Sequence, residues 1–370
     1  MKHYFLGLAS DYTGATRRKQ LFSHGKKSDY LKLKDYILKE YGANQVLITR
    51  NGRSAIAAGL KYYFRGKTGE IIVNGLTCYA VIQGIKAAGM KPVYADVDLE
   101  TLNFTPDSIK KALTKDTRGI MVQNNLGNMV NIDEIEKIAK KNNLIILEDL
   151  AHCTGKYYSD GREAGTVGQI AIFTFGKDKT IDVVNGGAIA FRDDNAKDLK
   201  EPTLRPPFSE VLRARLYPTL GAICRGLSYV RLSGVFMRFL LKIGLVKKSA
   251  DGDIDFTDRR LSYFQSKLAL EQLKHRKQNN AKLLRSFYLV DNRSEVLKKL
   301  RKAGYYFDGF WYDTPVMPRR YYKKARFPED ECPKAVFASR HIVNLPNYYK
   351  KEELAKAKKI ILENLVEDKK

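Results

Sequence analysis

Along the first part of the chain, short apolar runs bounded by polar or glycine residues alternate with longer segments of helical apolar spacing. NQVLIT (44–49), GEIIVNG (69–75), KPVYADV (91–97), GIMVQNN (119–125), NLIILED (143–149), IAIFTF (170–175) and GAIAFR (187–192) are rich in Val and Ile and predict strands. Between several of them, SAIAAGLKYYF (54–64), AVIQGIKAAG (80–89) and IDEIEKIAKKNN (132–143) carry the three-to-four-residue period of helices. Strand–helix alternation of this kind predicts an α/β fold with a mainly parallel sheet covered by helices. Ligands in such folds bind beyond the carboxyl ends of the strands.

The alternation stops between Asp193 and Pro207. Residues 208–248 then mix large apolar residues with Arg213, Arg215, Arg225, Arg231, Arg238, Lys242, Lys247 and Lys248, against Glu210 as the sole acid. Two readings fit that mixture: an amphipathic element lying on a membrane surface, or a helical pair packed on protein with its cations in water. From Asp258 onward, RRLSYFQSKLALEQLKHRKQNNAKLLRSF (259–287) predicts one long helix leading into an α+β part, which closes with the helix KEELAKAKKIILENL. The expected division is therefore 1–207, a basic amphipathic insertion over 208–252, and a smaller C-terminal domain over 253–370.

Composition narrows the function. The 370 residues are 44% hydrophobic, enough for a sizeable core. No uninterrupted apolar stretch is long enough for a transmembrane helix, and the apolar run near Met1 is too short for a signal peptide. Cys78, Cys153, Cys224 and Cys332 are scattered without a CxxC pair, and the five histidines have no metal-ligand spacing. A reduced cytoplasmic protein without a metal is expected. The formal charge of +25 would attract nucleic acid, an anionic membrane or a phosphorylated substrate. No nucleic-acid recognition motif accompanies it, so no nucleic-acid partner is expected.

Three segments carry candidate chemistry. LIILEDLAHCTG (144–155) ends a strand on Glu148 and Asp149, with His152 just beyond; a carboxylate there is a helix cap or a functional acid. Thirty residues after Asp149, beyond the strand IAIFTF, stands Lys179. Neighbouring strands would bring that acid and that amine to one crevice. A lysine amine can bond an aldehyde cofactor, and an acid can hold the proton on the ring nitrogen of pyridoxal phosphate. The segment VLITRNGRSAIAAGL (46–60) adds a strand, a glycine turn and a helix start, where Gly52 allows close approach and backbone N–H groups face an anion.

In this order the segments resemble the nucleotide-sugar aminotransferases of the DegT/StrS family, which are fold-type-I pyridoxal phosphate enzymes. NGRSAIAAGL is similar to the family's phosphate loop, and GMKPVYADVDLETLNFTPD to its G-x-x-P-V-x-x-D-V-D-x-x-T stretch. LEDLAHCTG resembles its E-D-x-A-[QH] segment. GREAGTVGQIAIFTFGKDKTIDVVNGGAI resembles the stretch with the Schiff-base lysine, and VNLPNYYKKEEL its closing L-P segment. The resemblance implies a large domain with a seven-stranded sheet, a homodimer, and pyridoxal 5′-phosphate as cofactor. It implies amino transfer from glutamate to a keto sugar nucleotide, in cell-surface polysaccharide or amino-sugar biosynthesis. A sugar dehydratase and a family member that has lost catalysis are the alternatives.

The family's lysine lies four residues after the phenylalanine of its S-F pair. Here that pair is Thr174-Phe175, which selects Lys179 over Lys177. By the same carry-over Asp149 would pair with the pyridinium and His152 would lie against the ring. Gly52, Arg53, Ser54 and Thr174 would hold the phosphate. Three positions depart from the pattern. Cys78 stands after Thr77 where an aromatic is usual, leaving Tyr79 to stack on the ring. Asp258 replaces an asparagine, leaving Arg259 or Arg260 to meet the anion. QNNLGN (123–128) replaces a histidine–aromatic pair.

Overall fold

The computed structural model describes residues 4–5, 12–195, 199–228, 230, 232–247, 259–279, 285–307, 309–347 and 349–366. Seven strands form the central sheet: β1 (Gln45–Thr49), β2 (Glu70–Asn74), β3 (Lys91–Ala95), β4 (Thr117–Val122), β5 (Ile145–Asp149), β6 (Ile170–Thr174) and β7 (Gly187–Phe191). All seven fall on the runs read as strands. Their spatial order is β1-β7-β6-β5-β4-β2-β3. Pairing is parallel from β6 to β3, while β7 runs antiparallel to both β6 and β1. Every residue of β2 and β7 is buried, which explains the unbroken apolar run of β7 and of residues 71–73 in β2: a strand covered on both faces has no solvent side to mark with polar residues.

Helices cover both faces. On one side lie α2 (Lys27–Glu40), α6 (Ile132–Lys141) and α9 (Tyr263–Lys274), packing Leu33, Ile37, Ile135, Ile138, Leu268 and Leu273 on the sheet. On the other lie α3 (Gly52–Phe64) and α4 (Tyr79–Ala87), with Ile56, Leu60, Ile82 and Ile85. Burying each such side chain contributes about 1.5–3 kcal/mol. Asn51 caps α3 by accepting from the Ser54 N–H at 2.9 Å, a bond worth about 1 kcal/mol at a helix N-terminus.

The C-terminal part pairs strands Arg285–Leu289 and Ile342–Pro346 antiparallel and packs helices Arg293–Lys302 and Lys351–Leu362 beside them. The single long helix expected over 259–287 is not formed. Helix α9 ends at Lys274, a short 3₁₀ turn follows, and Arg285–Phe287 already belong to a strand. The cause is Arg276. Its guanidinium is buried, donates to Glu163 at 2.6 Å, reaches Glu40 at 3.2 Å, and lies over the rings of Tyr36 and Tyr41. A charge so deeply buried needs those partners, and reaching them turns the chain off the helix axis.

The segment 208–248 forms α7 (Phe208–Ser228) and α8 (Ser233–Lys242). Helix α7 packs on α1 (Gly14–Phe22), and Arg215 donates to the carbonyls of Leu21 and Ser23 at the end of that helix. Glu210 is held by Arg50 at 2.5 Å and by Asn185 at 2.8 Å, anchoring the start of α7 beside β1 and β7.

Candidate functional site

Strands β5 and β6 are parallel neighbours, so Asp149 and Thr174, their last residues, reach the same edge of the sheet. The chain beyond β6 makes a loop over 176–186, with Asp178 and Val184 at positive φ. Asp182 organises that loop by accepting from Tyr12 OH at 2.8 Å, Asp178 N–H at 3.1 Å and Val184 N–H at 2.9 Å. Gln265 and Gln272 of α9 bind its backbone from below. The two lysines of the loop part company. Lys177 Nζ donates to the Lys247 carbonyl at 2.9 Å and lies over the Tyr217 ring. Lys179 Nζ turns into the crevice, 3.1 Å from His152 Nε2.

The imidazole of His152 is oriented from behind. The Leu126 N–H donates to its Nδ1 at 3.1 Å. Burial and the nearby Lys179 charge push its pKa well below the usual histidine value, so the ring is neutral. With Nδ1 accepting, the ring proton sits on Nε2 and points at Lys179. Asp149 is buried and accepts from the Ala151 N–H at 3.1 Å. Burial raises its pKa, opposed by that N–H, by a charge on Lys179 and by Gln123.

The glycine turn meets β6 at close range. A Cβ placed on Gly52 would lie 2.3 Å from Thr174 Oγ1, so only glycine lets the start of α3 approach that hydroxyl. Its first turn therefore opens beside Thr174, where helix N–H groups favour an anion. Replacing Gly52 by alanine is expected to cost about 1–3 kcal/mol in urea unfolding through this overlap. A second change, Thr174→Ala, should recover most of that loss; equal stability of the single and double variants would place the cost elsewhere.

Other residues read from the sequence are placed as follows. Ser54 is buried in the first turn of α3, and Arg53 donates from Nη1 to Gln83 at 3.0 Å, pinning α3 to α4 with its side chain. Cys78 is half-buried at the N-cap of α4. The ring of Tyr79 stacks on Tyr321 at 4.6 Å, facing the C-terminal part. Arg260 lies over the Tyr263 ring at 3.6 Å, and Arg259 donates to the Arg205 carbonyl. Asp258 lies outside the described residues. The QNNLGN stretch is a buried amide cluster: Gln123 Oε1 accepts from Thr77 Oγ1 at 3.0 Å, Asn124 Nδ2 donates to Tyr158 OH, and Asn125 Nδ2 to the Leu76 and Leu102 carbonyls.

Two residues of the crevice carry no motif. Trp311 lies against His152 with ring centroids 4.8 Å apart, and Lys179 Nζ stands 4.7 Å from the indole centroid. Its backbone N–H donates to Asn344 Oδ1 at 2.7 Å. Tyr312 is buried beside it, donates from its hydroxyl to Asn125 Oδ1 at 2.7 Å, and is pushed by that burial well above the usual tyrosine pKa. An aromatic thus does face the lysine, but from the C-terminal part. The signal available in the sequence is composition: Trp311 is the chain's single tryptophan. Among the described residues, no group of three or more His, Cys, Asp or Glu could hold a metal ion, and all four cysteines are free thiols.

This geometry agrees with what the chain is similar to. A "Pleiotropic regulatory protein" of Geobacillus stearothermophilus is 32% identical over 168 residues, 45% of this chain and 45% of the relative. GDP-perosamine synthase of Escherichia coli O157:H7 is 32% identical over 148 residues, 40% of each. The chain therefore spans less than half the length of these relatives. Over nearly the whole chain the likeness is one of fold. An aminotransferase from Psychrobacter cryohalolentis superposes with TM-score 0.67 at 17% identity, covering 96% of this chain and 98% of the other. The E. coli GDP-4-keto-6-deoxy-D-mannose-3-dehydratase with bound hydrated PLP gives 0.66 at 18%, covering 98% and 100%. The model of one family matches residues 10–205, from the first helix through the glycine turn, Asp149 and the lysine loop, and the chain belongs to that DegT/DnrJ/EryC1/StrS aminotransferase family.

Proposed function

We propose that this protein is a pyridoxal phosphate-dependent aminotransferase that moves an amino group from glutamate to a keto sugar linked to a nucleotide. One observation carries the reading: Lys179 Nζ stands 3.1 Å from a neutral His152, at the strand edge that also ends in the buried Asp149. The residues fit the cofactor. The Gly52–Thr174 approach leaves a cradle that a Cβ would fill, and Asp149 supplies a buried acid with a lysine charge nearby.

Pyridoxal phosphate, when bound, supplies an aldehyde that condenses with primary amines and a ring that draws electrons from the neighbouring carbon. The chain's residues do the rest. Asp149 would hold the proton on the ring nitrogen. His152 would lie against the ring while keeping Lys179 oriented through Nε2. Lys179 Nζ would be the group that takes a proton from the carbon bearing the donor's amine and returns it one position away. The first turn of α3, with the Ser54 and Thr174 hydroxyls, holds the phosphate. Trp311 shields Lys179 from water, which would otherwise compete for its protons. Part of the +25 formal charge steers a pyrophosphate-bearing substrate, an effect that weakens with salt.

The single tryptophan gives a test that does not depend on turnover. Adding pyridoxal phosphate to cofactor-free protein is expected to quench most of the Trp311 emission, because the absorbing ring would enter the crevice where the indole lies 4.7 Å from Lys179 Nζ. A new absorption band should appear with the same concentration dependence. Unchanged emission and no new band would overturn the proposal. With the band present, bleaching by glutamate separates amino transfer from a binding-only protein.

A further inference from the structure

We infer that α8 is a membrane-docking helix that lays one exposed apolar stripe on an anionic lipid surface. Leu232, Val235, Phe239 and Ile243 are 52%, 56%, 55% and 49% exposed. Their spacing of three, four and four residues puts them on one face of a helix. The helix is anchored to the protein beside the stripe: Leu240 is buried, as is Val246 just beyond the helix, and α8 packs on α7. The stripe is therefore not a misplaced core face. Val230 and Ile223, at 62% and 44% exposed, extend the apolar surface toward α7. Contiguous apolar area of this kind on a folded protein marks a contact surface.

Charge decides what contacts it. Arg238 and Lys242 are four residues apart and, at helical spacing, fall on one flank of the stripe, where both are exposed. Arg213 and Arg225 lie on α7, and Lys247 follows α8. The acid of α7, Glu210, is buried and engaged by Arg50 and Asn185. A second copy meeting this stripe with its own would bring Arg238 and Lys242 of each helix toward their counterparts. An anionic bilayer instead receives the side chains among its acyl chains and the cations among its headgroups, the arrangement of interfacial helices. No helix among the described residues is long and apolar enough to cross a membrane, so the contact is peripheral. The mount is firm: Lys177, two residues from Lys179, donates to the Lys247 carbonyl just beyond α8. Docking would thus hold the mouth of the crevice close to the lipid surface.

Vesicle flotation tests this with the full chain. Vesicles of phosphatidylcholine mixed with phosphatidylglycerol are expected to carry the protein upward, and vesicles of phosphatidylcholine alone to carry much less. Val235→Asp and Phe239→Asp should each lower the partition coefficient about tenfold or more, with melting temperature unchanged because both side chains are already in water. Arg238→Glu with Lys242→Glu should remove the preference for the anionic lipid. No flotation, or flotation of Val235→Asp and Phe239→Asp equal to that of the parent, would overturn the inference. So would sedimentation showing that those changes reduce the size of the protein's own assembly, which would assign the stripe to a second copy. Flotation needs no cofactor, so its failure leaves the aminotransferase reading standing, and a colourless protein that floats would sink only that reading.

Discussion

Lys179→Ala is expected to remove the cofactor's lysine-dependent absorption band and to lower amino transfer by about 10⁴-fold or more, since in the proposed reaction one nitrogen would serve both as the cofactor's anchor and as the proton carrier. Lys177→Ala is the control. Its amine is spent on the Lys247 carbonyl and the Tyr217 ring, so the band and the transfer rate should stay within a few-fold of the parent. The comparison is sharp because the two lysines share one loop and differ only in direction. An intact band in Lys179→Ala, or loss of the band in Lys177→Ala alone, would reassign the reactive amine. Structural collapse is a poor explanation for the Lys179 effect. Its neighbours are held independently: His152 by the Leu126 N–H, and the loop by Asp182, Gln265 and Gln272. A circular dichroism melt should therefore be nearly unchanged.

Much of this arrangement is legible in the chain because it is local. Each strand of the sheet is a short β-branched run with polar ends, and each chemical segment sits where such a run stops. The placing of Asp149, Lys179 and Gly52 at or just beyond strand ends is readable for that reason. What failed was long-range. Nothing near Arg276 announces that Glu163 and Glu40 will pull it off a helix, since those partners are more than a hundred residues away. Nothing near Trp311 announces Lys179. The missing aromatic at Cys78 suggested Tyr79 by proximity along the chain, yet Tyr79 is already stacked on Tyr321. The segment 208–248 was ambiguous for a different reason. Composition does not say which face of a helix is covered, and only packing on α1 and α7 separates the buried side from the exposed stripe.

The pair Glu148-Asp149 shows how one strand end divides structure from chemistry, and it supports the largest expected loss of stability. Consecutive residues of a strand point to opposite faces. Asp149 serves the crevice, while Glu148 is fully buried on the other side. There its carboxylate accepts from Gly165 N–H and Tyr158 OH on Oε1, at 2.7 and 2.9 Å, and from Val167 and Gly168 N–H on Oε2, at 2.8 and 2.7 Å. Tyr158 in turn accepts from Asn124 of the amide cluster. Glu148→Ala would strand four donors away from water, each costing about 1–3 kcal/mol but sharing relaxation, so a net loss of about 3–5 kcal/mol is expected in urea unfolding. That is a large share of the roughly 5–15 kcal/mol that holds a domain folded. Glu148→Gln discriminates between filling space and accepting hydrogen bonds. Its amide keeps the shape but turns one acceptor into a donor facing two others, so it should recover little of the stability. A glutamine variant as stable as the parent would mean that the site needs volume rather than charge. Because Glu148 fixes the end of β5, the alanine variant should also bind pyridoxal phosphate more weakly at temperatures where it remains folded, and that loss would be traced to Asp149 swinging on a loosened strand end.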